Sequence, residues 1–83
     1  RATTTRWWEE DELFAIARVY PGKGMISVVN RGWSARDLDN GLAFAGLPTG
    51  TWTDVLTGET FVSDGDRLRF SVGALRSRVL VSP

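Results

Sequence analysis

The stretch GTWTDVLTGETF, residues 50–61, decides how this chain folds, and it holds one Trp, two acidic residues, four Thr and two Gly. Strand alternation places Trp52 and Asp54 on one face. Asp54 stands just before the turn LTG, where its carboxylate can accept backbone N–H groups of the following residues. Gly58 supplies the positive φ that a tight hairpin requires. We therefore interpret the stretch as a β-hairpin, whose structural residues are Gly50, Trp52, Asp54, Thr57 and Gly58.

Apolar runs of strand length surround this hairpin and are separated by Gly, Pro, Asn and Asp. The run LFAIARVY, residues 13–20, is apolar on both faces up to Arg18, which predicts a central strand covered on both sides. The run RLRFSV, residues 67–72, alternates strictly and predicts a strand with its apolar residues inward. The polar segment 31–41 is predicted to be a loop, and LAFAG, residues 42–46, a short strand.

This pattern predicts an all-β fold, because turn signals recur roughly every 8–12 residues and no helical stripe is present. We expect an antiparallel β-sandwich of about six to eight short strands with Greek-key connections. A closed barrel is the alternative. Residues 1–12 are expected to lead in from a preceding domain, and residues 13–83 to form a C-terminal β-sandwich domain. The first residue is not Met, so we expect that the chain was cut from a larger one.

The composition argues against several classes of function. Ten basic and ten acidic residues give a net charge of zero, which does not favour a nucleic-acid partner. No apolar run approaches the roughly 20 residues that a membrane span requires, so no membrane partner is predicted. The chain contains no Cys and no His, which removes disulfides, Cys–zinc sites and every catalytic triad that depends on His. We predict no cofactor.

Two pairs of acidic residues have the spacing that glycoside hydrolysis uses. Asp37 and Asp39, like Asp64 and Asp66, are two residues apart, so one strand face would separate their carboxylates by about 7 Å. Both pairs lie in turn-like segments, where Asp more often bonds to its own backbone. The segment DLDNG also lacks the distal Glu of a calcium loop. We therefore predict no catalytic residue and no metal ligand in this chain.

The Trp residues are the strongest candidates for contact with a ligand or a partner. The chain has four of them, and exposed Trp rings are suited to stacking on sugars because they combine a flat apolar surface with an N–H donor. Trp52 lies in a strand and is expected to pack inward. Trp33 lies in a loop, and Trp7 and Trp8 are consecutive, so one of that pair is expected to point outward. Trp7, Trp8 and Trp33 are thus the candidate residues for contact with a glycan or a neighbouring domain.

The order of these motifs resembles a known family. LFAIARVY, then MISVVNRG, then GLPTGTWTDVLTGE, then RVLV, is similar to the C-terminal β-domain of alpha-amylase-superfamily glycoside hydrolases, above all to the branch of maltogenic amylase, neopullulanase and cyclomaltodextrinase. The resemblance extends from about Leu13 to the end of the chain but does not include Trp7, Trp8 or the segment WSARDLDN. The matching positions are Arg18, Asn30, Arg31, Gly50, Trp52, Asp54, Thr57, Gly58, Glu59, Val79 and Leu80.

The resemblance implies that catalysis and structural support belong to different domains of the parent chain. In this family the catalytic nucleophile and acid lie on a (β/α)8 barrel that precedes the β-domain, so it gives no catalytic role to any residue here. The β-domain packs against that barrel, and in some members it also touches starch. The implied partner is therefore the catalytic barrel of the same parent chain, with an alpha-glucan as a further candidate.

The leading hypothesis is a non-catalytic accessory domain that braces the barrel, and it predicts a contiguous exposed apolar patch on the isolated chain. The alternative is a carbohydrate-binding module, which predicts at least one solvent-facing Trp ring beside polar groups. A generic immunoglobulin-like adhesion domain is a third interpretation. It differs from the first two because its gene would carry no barrel upstream.

Overall fold

The computed structural model describes residues 3–83, which form eight strands and one short 3-10 helix. No helix among these residues is long and apolar enough to cross a membrane. The strands are all antiparallel and form one sheet of six and one of two, so the predicted all-β sandwich is confirmed. The elements are β1 (Thr3–Glu9), β2 (Leu13–Tyr20), β3 (Lys23–Asn30), β4 (Arg36–Gly41), the 3-10 helix (Ala43–Ala45), β5 (Thr51–Asp54), β6 (Thr60–Val62), β7 (Arg67–Val72) and β8 (Ser77–Val81).

The large sheet has the strand order β1-β2-β3-β8-β5-β6, and the small sheet pairs β4 with β7. The chain crosses between the sheets after β3, β4, β6 and β7. Strand β8 returns to lie beside β5, so the last four strands follow the order β8-β5-β6-β7 of a Greek key, with β7 in the small sheet.

The core lies between the two sheets and is built by side chains that alternate along the strands. In β7, Leu68, Phe70 and Val72 are buried and the intervening residues are exposed, as the sequence pattern predicted. In β2 the buried residues are small or medium-sized, Leu13, Ala15 and Ala17. The large core rings come from Trp7, Trp52 and Phe70 on other strands.

Strand β1 lies within the segment that we expected to be a lead-in. It pairs with β2 along its length, and Trp7 is only 2% exposed. The pairing shifts at a β-bulge between Arg6 and Trp8. Trp8 faces Ala15, which is fully buried, so the bulge turns both Trp7 and Trp8 toward the core instead of to opposite faces. Among residues 3–83, the sheet therefore includes Thr3–Glu9, which the sequence had led us to place in the lead-in.

Two local predictions were wrong. The segment 31–41 is a loop only up to residue 35, because Arg36–Gly41 pairs with β7 as strand β4. The segment 42–46 is not a strand, because Ala43–Ala45 turns as a 3-10 helix that ends at Gly46 with φ 73°. Leu42 and Ala45 of this segment are buried in the core.

Candidate functional site: the outer face of the large sheet

The hairpin at residues 50–61 joins β5 to β6 and is closed by the residues that the sequence singled out. Asp54 Oδ1 accepts the N–H of Leu56 at 2.9 Å, and the N–H of Gly58 bonds to the Asp54 carbonyl at 2.7 Å. Gly58 has φ 83°, and Thr57 Oγ1 accepts the N–H of Glu59 at 3.1 Å. The Trp52 ring is fully buried in the core. The arrangement holds the two strands together.

The fully buried Asp54 carboxylate is also one end of an ionic network. Arg78 Nη1 donates to Asp54 Oδ2 at 2.8 Å and to Glu59 Oε1 at 2.9 Å, and its guanidinium lies 4.9 Å from the centre of the Phe61 ring. Burial alone would raise the pKa of Asp54, but hydrogen bonds from the Leu56 N–H, from Arg78 and from the Val79 N–H outweigh it, so the pKa lies below its ordinary value. The network therefore ties the hairpin to β8.

Sequence reasoning missed Arg78, although the strand carried a signal. Arg78 is two residues before the buried Leu80 in β8 and faces the buried Val28 of β3, so it lies on the core side of the sheet. A cation on that face requires a buried anion. Asp54 is the buried carboxylate that supplies it.

Most residues of the two acidic pairs have partners within the fold. Asp39 binds Arg67 through Oδ1 at 2.8 Å, while Asp37 points outward from β4 and is exposed. Asp66 Oδ1 accepts the N–H of Ala43 at 2.8 Å and so holds the start of the 3-10 helix. Asp64 forms an isolated β-bridge with Arg67. Three of these four residues thus have a local structural role in the described part of the chain.

The most prominent surface feature is the side of the large sheet that points away from the small sheet. Phe14 pairs with Val29, Ile16 lies in register with Val79 through Ser27, and Met25 pairs with Val81. These residues alternate with buried ones, so they all point away from the core. We call this surface the outer face and define it by seven residues: Phe14, Ile16, Met25, Val29, Val55, Val79 and Val81.

The seven residues of the outer face form an apolar surface that is accessible to solvent, and Arg18, Ser27, Thr53 and Ser77 lie on the same side of the sheet by register. Val29 and Val55 are 41% and 57% exposed, and the other five residues are half-buried by their neighbours on the same face. Among residues 3–83, no strand or helix packs over it. The sequence predicted that β2 would be covered on both sides, yet the small sheet covers only one.

The exposed side of the small sheet shows the opposite composition. Its outward residues in β4 and β7 are charged or hydroxylated: Asp37, Asp39, Arg67, Arg69 and Ser71. An antiparallel sheet with one solvated side normally alternates in this way. The small sheet thus has a wholly polar outer side, while the outer side of the large sheet carries seven apolar residues.

The four Trp residues differ widely in exposure. Trp7 stacks on Phe70 with ring centres 5.8 Å apart and donates its Nε1–H to the Gly41 carbonyl at 2.8 Å. Trp8 is half-buried and donates to Glu10 Oε1 at 2.7 Å; this bond, followed by the one from Arg36, lowers the pKa of Glu10. Trp33 is 83% exposed, so it is the candidate Trp that the structure leaves free for a ligand.

Comparison with known proteins gives a result at the level of the fold. No family model matches the chain, and no curated protein matches it in sequence. Solved structures do match: an alpha-amylase from Geobacillus thermoleovorans in complex with acarbose has a TM-score of 0.83 at 16% identity, and an Anoxybacillus alpha-amylase has 0.82 at 15%. Both matches cover 98% of this chain. The chain has a fold that alpha-amylases contain.

The same fold also occurs in other glycoside hydrolases. A GH30 endoxylanase from Clostridium papyrosolvens matches 95% of the chain with a TM-score of 0.75 at 11% identity. This chain spans only 18% of the length of each of the two amylases and 23% of that of the endoxylanase. The fold is therefore a small part of larger proteins whose chemistry differs.

Proposed function

We propose that this chain is a non-catalytic accessory domain of an alpha-amylase-type glycoside hydrolase, and that it packs against the catalytic domain of that enzyme through the outer face. The observation that carries the proposal is the uncovered outer face itself. Its position opposite a charged and polar small sheet gives the domain one side for water and one side for a partner.

The small size of this chain, compared with the structures that share its fold, supports a large neighbouring domain as the partner. The matching amylases are more than five times as long, since this chain spans 18% of them. A domain of this size in such a chain has a large neighbour within reach, and interfaces between domains of one chain bury roughly 600–1,500 Å². Three neighbouring strands, β2, β3 and β8, contribute to the outer face together with Val55 just after β5, which gives a contact surface of suitable breadth.

The contacts of the acidic side chains support the proposal that this domain carries out no catalysis. The buried Asp54 is committed to Arg78 and to backbone donors, and Asp39 and Asp66 have structural partners. A retaining or inverting glycosidase requires two facing carboxylates with different protonation states. We expect no turnover of starch, pullulan or cyclodextrins by the 83-residue chain.

The finer assignment rests on the sequence resemblance. The hairpin G-x-W-x-D with the following T-G-E, and the strand end at Asn30 and Arg31, favour the branch of maltogenic amylase, neopullulanase and cyclomaltodextrinase. In that branch the β-domain follows a (β/α)8 barrel that acts on alpha-glucans. We propose the same order for the parent of this chain.

The test is made in the full-length enzyme with a matched pair of variants. Ile16→Lys places a charge in the middle of the outer face, and Ser71→Lys places the same charge on the solvated side of the small sheet. Calorimetry of the unchanged enzyme is expected to show one unfolding transition. Ile16→Lys is expected to split it into two, because a charge at the interface uncouples the domains, while Ser71→Lys leaves it whole.

Two results would contradict the proposed packing against a catalytic domain. One is a single, unshifted transition in the Ile16→Lys enzyme, which would mean that the outer face makes no contact. The other is a gene in which no glycoside hydrolase catalytic domain adjoins this chain, which would favour the immunoglobulin-like interpretation. Turnover of a glucan by the purified 83-residue chain would refute the non-catalytic assignment by itself.

A further inference from the structure

Charged side chains are distributed unevenly on the side of the large sheet that carries the outer face. The strand register places three cations on this side, Arg6, Arg18 and Lys23, and one carboxylate, Glu9. Arg6 and Glu9 form an ion pair with each other at 2.9 Å. The whole chain has no net charge, yet the strands of this sheet leave Arg18 and Lys23 without a balancing acid on their own side.

The outer side of the small sheet differs, because its charges balance. It carries two acids, Asp37 and Asp39, and two cations, Arg67 and Arg69, and Arg67 binds Asp39 at 2.8 Å. The excess of positive charge is therefore confined to the side of the sandwich that also carries the apolar residues.

Arg18 and Lys23 lie close together, near the hairpin that joins β2 to β3. Arg18 pairs with Met25, and Lys23 is two residues before Met25 on the same strand, so the two Cβ atoms are about 7–8 Å apart. Both side chains are exposed, and neither forms an ion pair within residues 3–83. We call these two residues the basic corner. Like charges at this distance repel each other, and an anion between them would relieve the repulsion.

Covering the outer face would take Arg18 out of water. Its neighbours by register are Ile16 along β2 and Met25 across from it, and both belong to the outer face. A cation that is buried against apolar residues without a partner is costly, and a carboxylate at hydrogen-bond distance offsets this cost. A surface that fits over the outer face therefore has to bring an anion to Arg18.

We propose that the catalytic domain of the parent enzyme presents an Asp or Glu side chain to the basic corner, where it binds Arg18 and lies within reach of Lys23. This inference rests on the proposed function, because it takes the outer face as the contact surface. The planar guanidinium of Arg18 donates two parallel hydrogen bonds to that carboxylate. The apolar residues supply contact area, and the basic corner sets the orientation of the domain, because its charges lie at one end of the apolar surface.

Arg18→Met in the full-length enzyme tests the proposal by the sign of its effect. Met is of similar length but uncharged, so the partner carboxylate would remain in the interface without its cation. The calorimetric transition is then expected to fall by about 2–4 °C, because removing one member of a desolvated charge pair weakens the contact. If the covering surface carried no acid opposite Arg18, the apolar side chain would instead strengthen the contact and raise the transition.

Two further variants isolate the role of the charge. Arg69→Met makes the same substitution at an exposed position on the outer side of the small sheet, and it is expected to leave the transition unchanged. Arg18→Lys keeps the charge but loses the planar pair of donors, so it is expected to restore about half of the shift. No restoration by Arg18→Lys would contradict recognition through charge.

Lys23 gives a direct measurement that does not depend on stability. It is the only lysine among the 83 residues, and a carbodiimide joins a lysine amine to a carboxylate only where the two are in contact. The unchanged full-length enzyme is treated with the carbodiimide, and the band of a single chain on a denaturing gel is digested and analysed by mass spectrometry. We expect a peptide that contains Lys23 to be joined to an Asp or Glu of the catalytic domain.

The possible results separate this inference from the proposed function. A lower transition in Arg18→Met, together with the Lys23 cross-link to the catalytic domain, supports the acidic contact. A raised or unchanged transition in Arg18→Met, no Lys23 cross-link, or a cross-link only between two chains overturns it. If Ile16→Lys still splits the transition, packing through the outer face stands although the acidic contact fails. A single, unshifted transition in Ile16→Lys overturns both.

Discussion

The ionic network at the base of the hairpin gives a sharp prediction about stability. Arg78→Met removes the guanidinium while keeping a side chain of similar length against Phe61. Asp54 is fully buried and Arg78 is 12% exposed, so the substitution leaves a carboxylate in the core without its cation. Asp54 keeps the hydrogen bonds from Leu56 and Val79.

The cost follows from burial. Removing one partner of a buried ion pair costs about 3–5 kcal/mol. The two remaining backbone hydrogen bonds to Asp54 place the expected cost of Arg78→Met at the lower end, about 3 kcal/mol. With a denaturant slope of about 1 kcal/mol per molar urea for a chain of this size, the urea midpoint should fall by about 3 M. A domain with only about 4–12 kcal/mol of stability would lose a large part of it.

Arg67→Met is the control, because it makes the same substitution in an exposed pair. Arg67 and Asp39 are 58% and 45% exposed, and exposed pairs contribute less than about 1 kcal/mol. Urea unfolding of both variants, followed by Trp fluorescence, measures the difference directly. Equal losses of stability in Arg78→Met and Arg67→Met would refute the argument that burial of the Asp54–Arg78 pair decides its importance.

Three further predictions concern the same core. Because the pKa of Asp54 is low in the folded chain, the carboxylate contributes fully to the free energy of unfolding above the unfolded pKa of about 3.9, and this contribution is lost as the pH falls through the lower folded value. The stability difference between the unchanged chain and Asp54→Asn should therefore be constant at neutral pH and shrink in acid. A pH-independent difference would contradict this. Gly24→Ala should cost about 1–3 kcal/mol, because the new Cβ would lie 2.9 Å from Leu47 Cδ2; unchanged thermal unfolding would show that the neighbours move freely. Asn30→Ala should cost about 3 kcal/mol by leaving backbone groups of the loop without partners, and faster amide exchange at Gly32 should accompany the loss; protection as in the unchanged chain would argue against it.

The sequence predicts the strands that bury a regular pattern of apolar residues. Strand β7 alternates strictly, so its orientation could be derived from the period alone. The hairpin between β5 and β6 follows from Asp54 and Gly58, whose turn chemistry is local. These elements depend on interactions within a few residues, which single-sequence reasoning can assess.

The elements that the sequence did not predict depend on distant partners. Strand β4 has one fully buried apolar residue, Leu38, and is a strand because Leu38 pairs with Phe70 of β7. Two consecutive Trp residues do not predict the bulge that turns Trp7 and Trp8 to the same side, because the bulge arises from the register with β2. The exposed Trp33 was singled out correctly as lying in a loop, but the Asn30 bonds that support it are contacts across the fold.

The two sides of the sandwich differ, and this difference explains why the sequence of β2 predicted a covering layer on both faces when the structure has one on a single face. An apolar pattern on both faces predicts cover on both sides, and in this chain the small sheet supplies only one cover. A chain of about this length buries only roughly 60–65% of its unfolded surface, so leaving Phe14, Ile16 and Val79 without a covering layer is a further cost to a small core. The polar outer side of β4 and β7 shows that the same chain places polar residues where a sheet faces water. The sequence pattern of β2 is therefore consistent with the proposed two-sided environment in the parent enzyme, in which the second cover belongs to another domain.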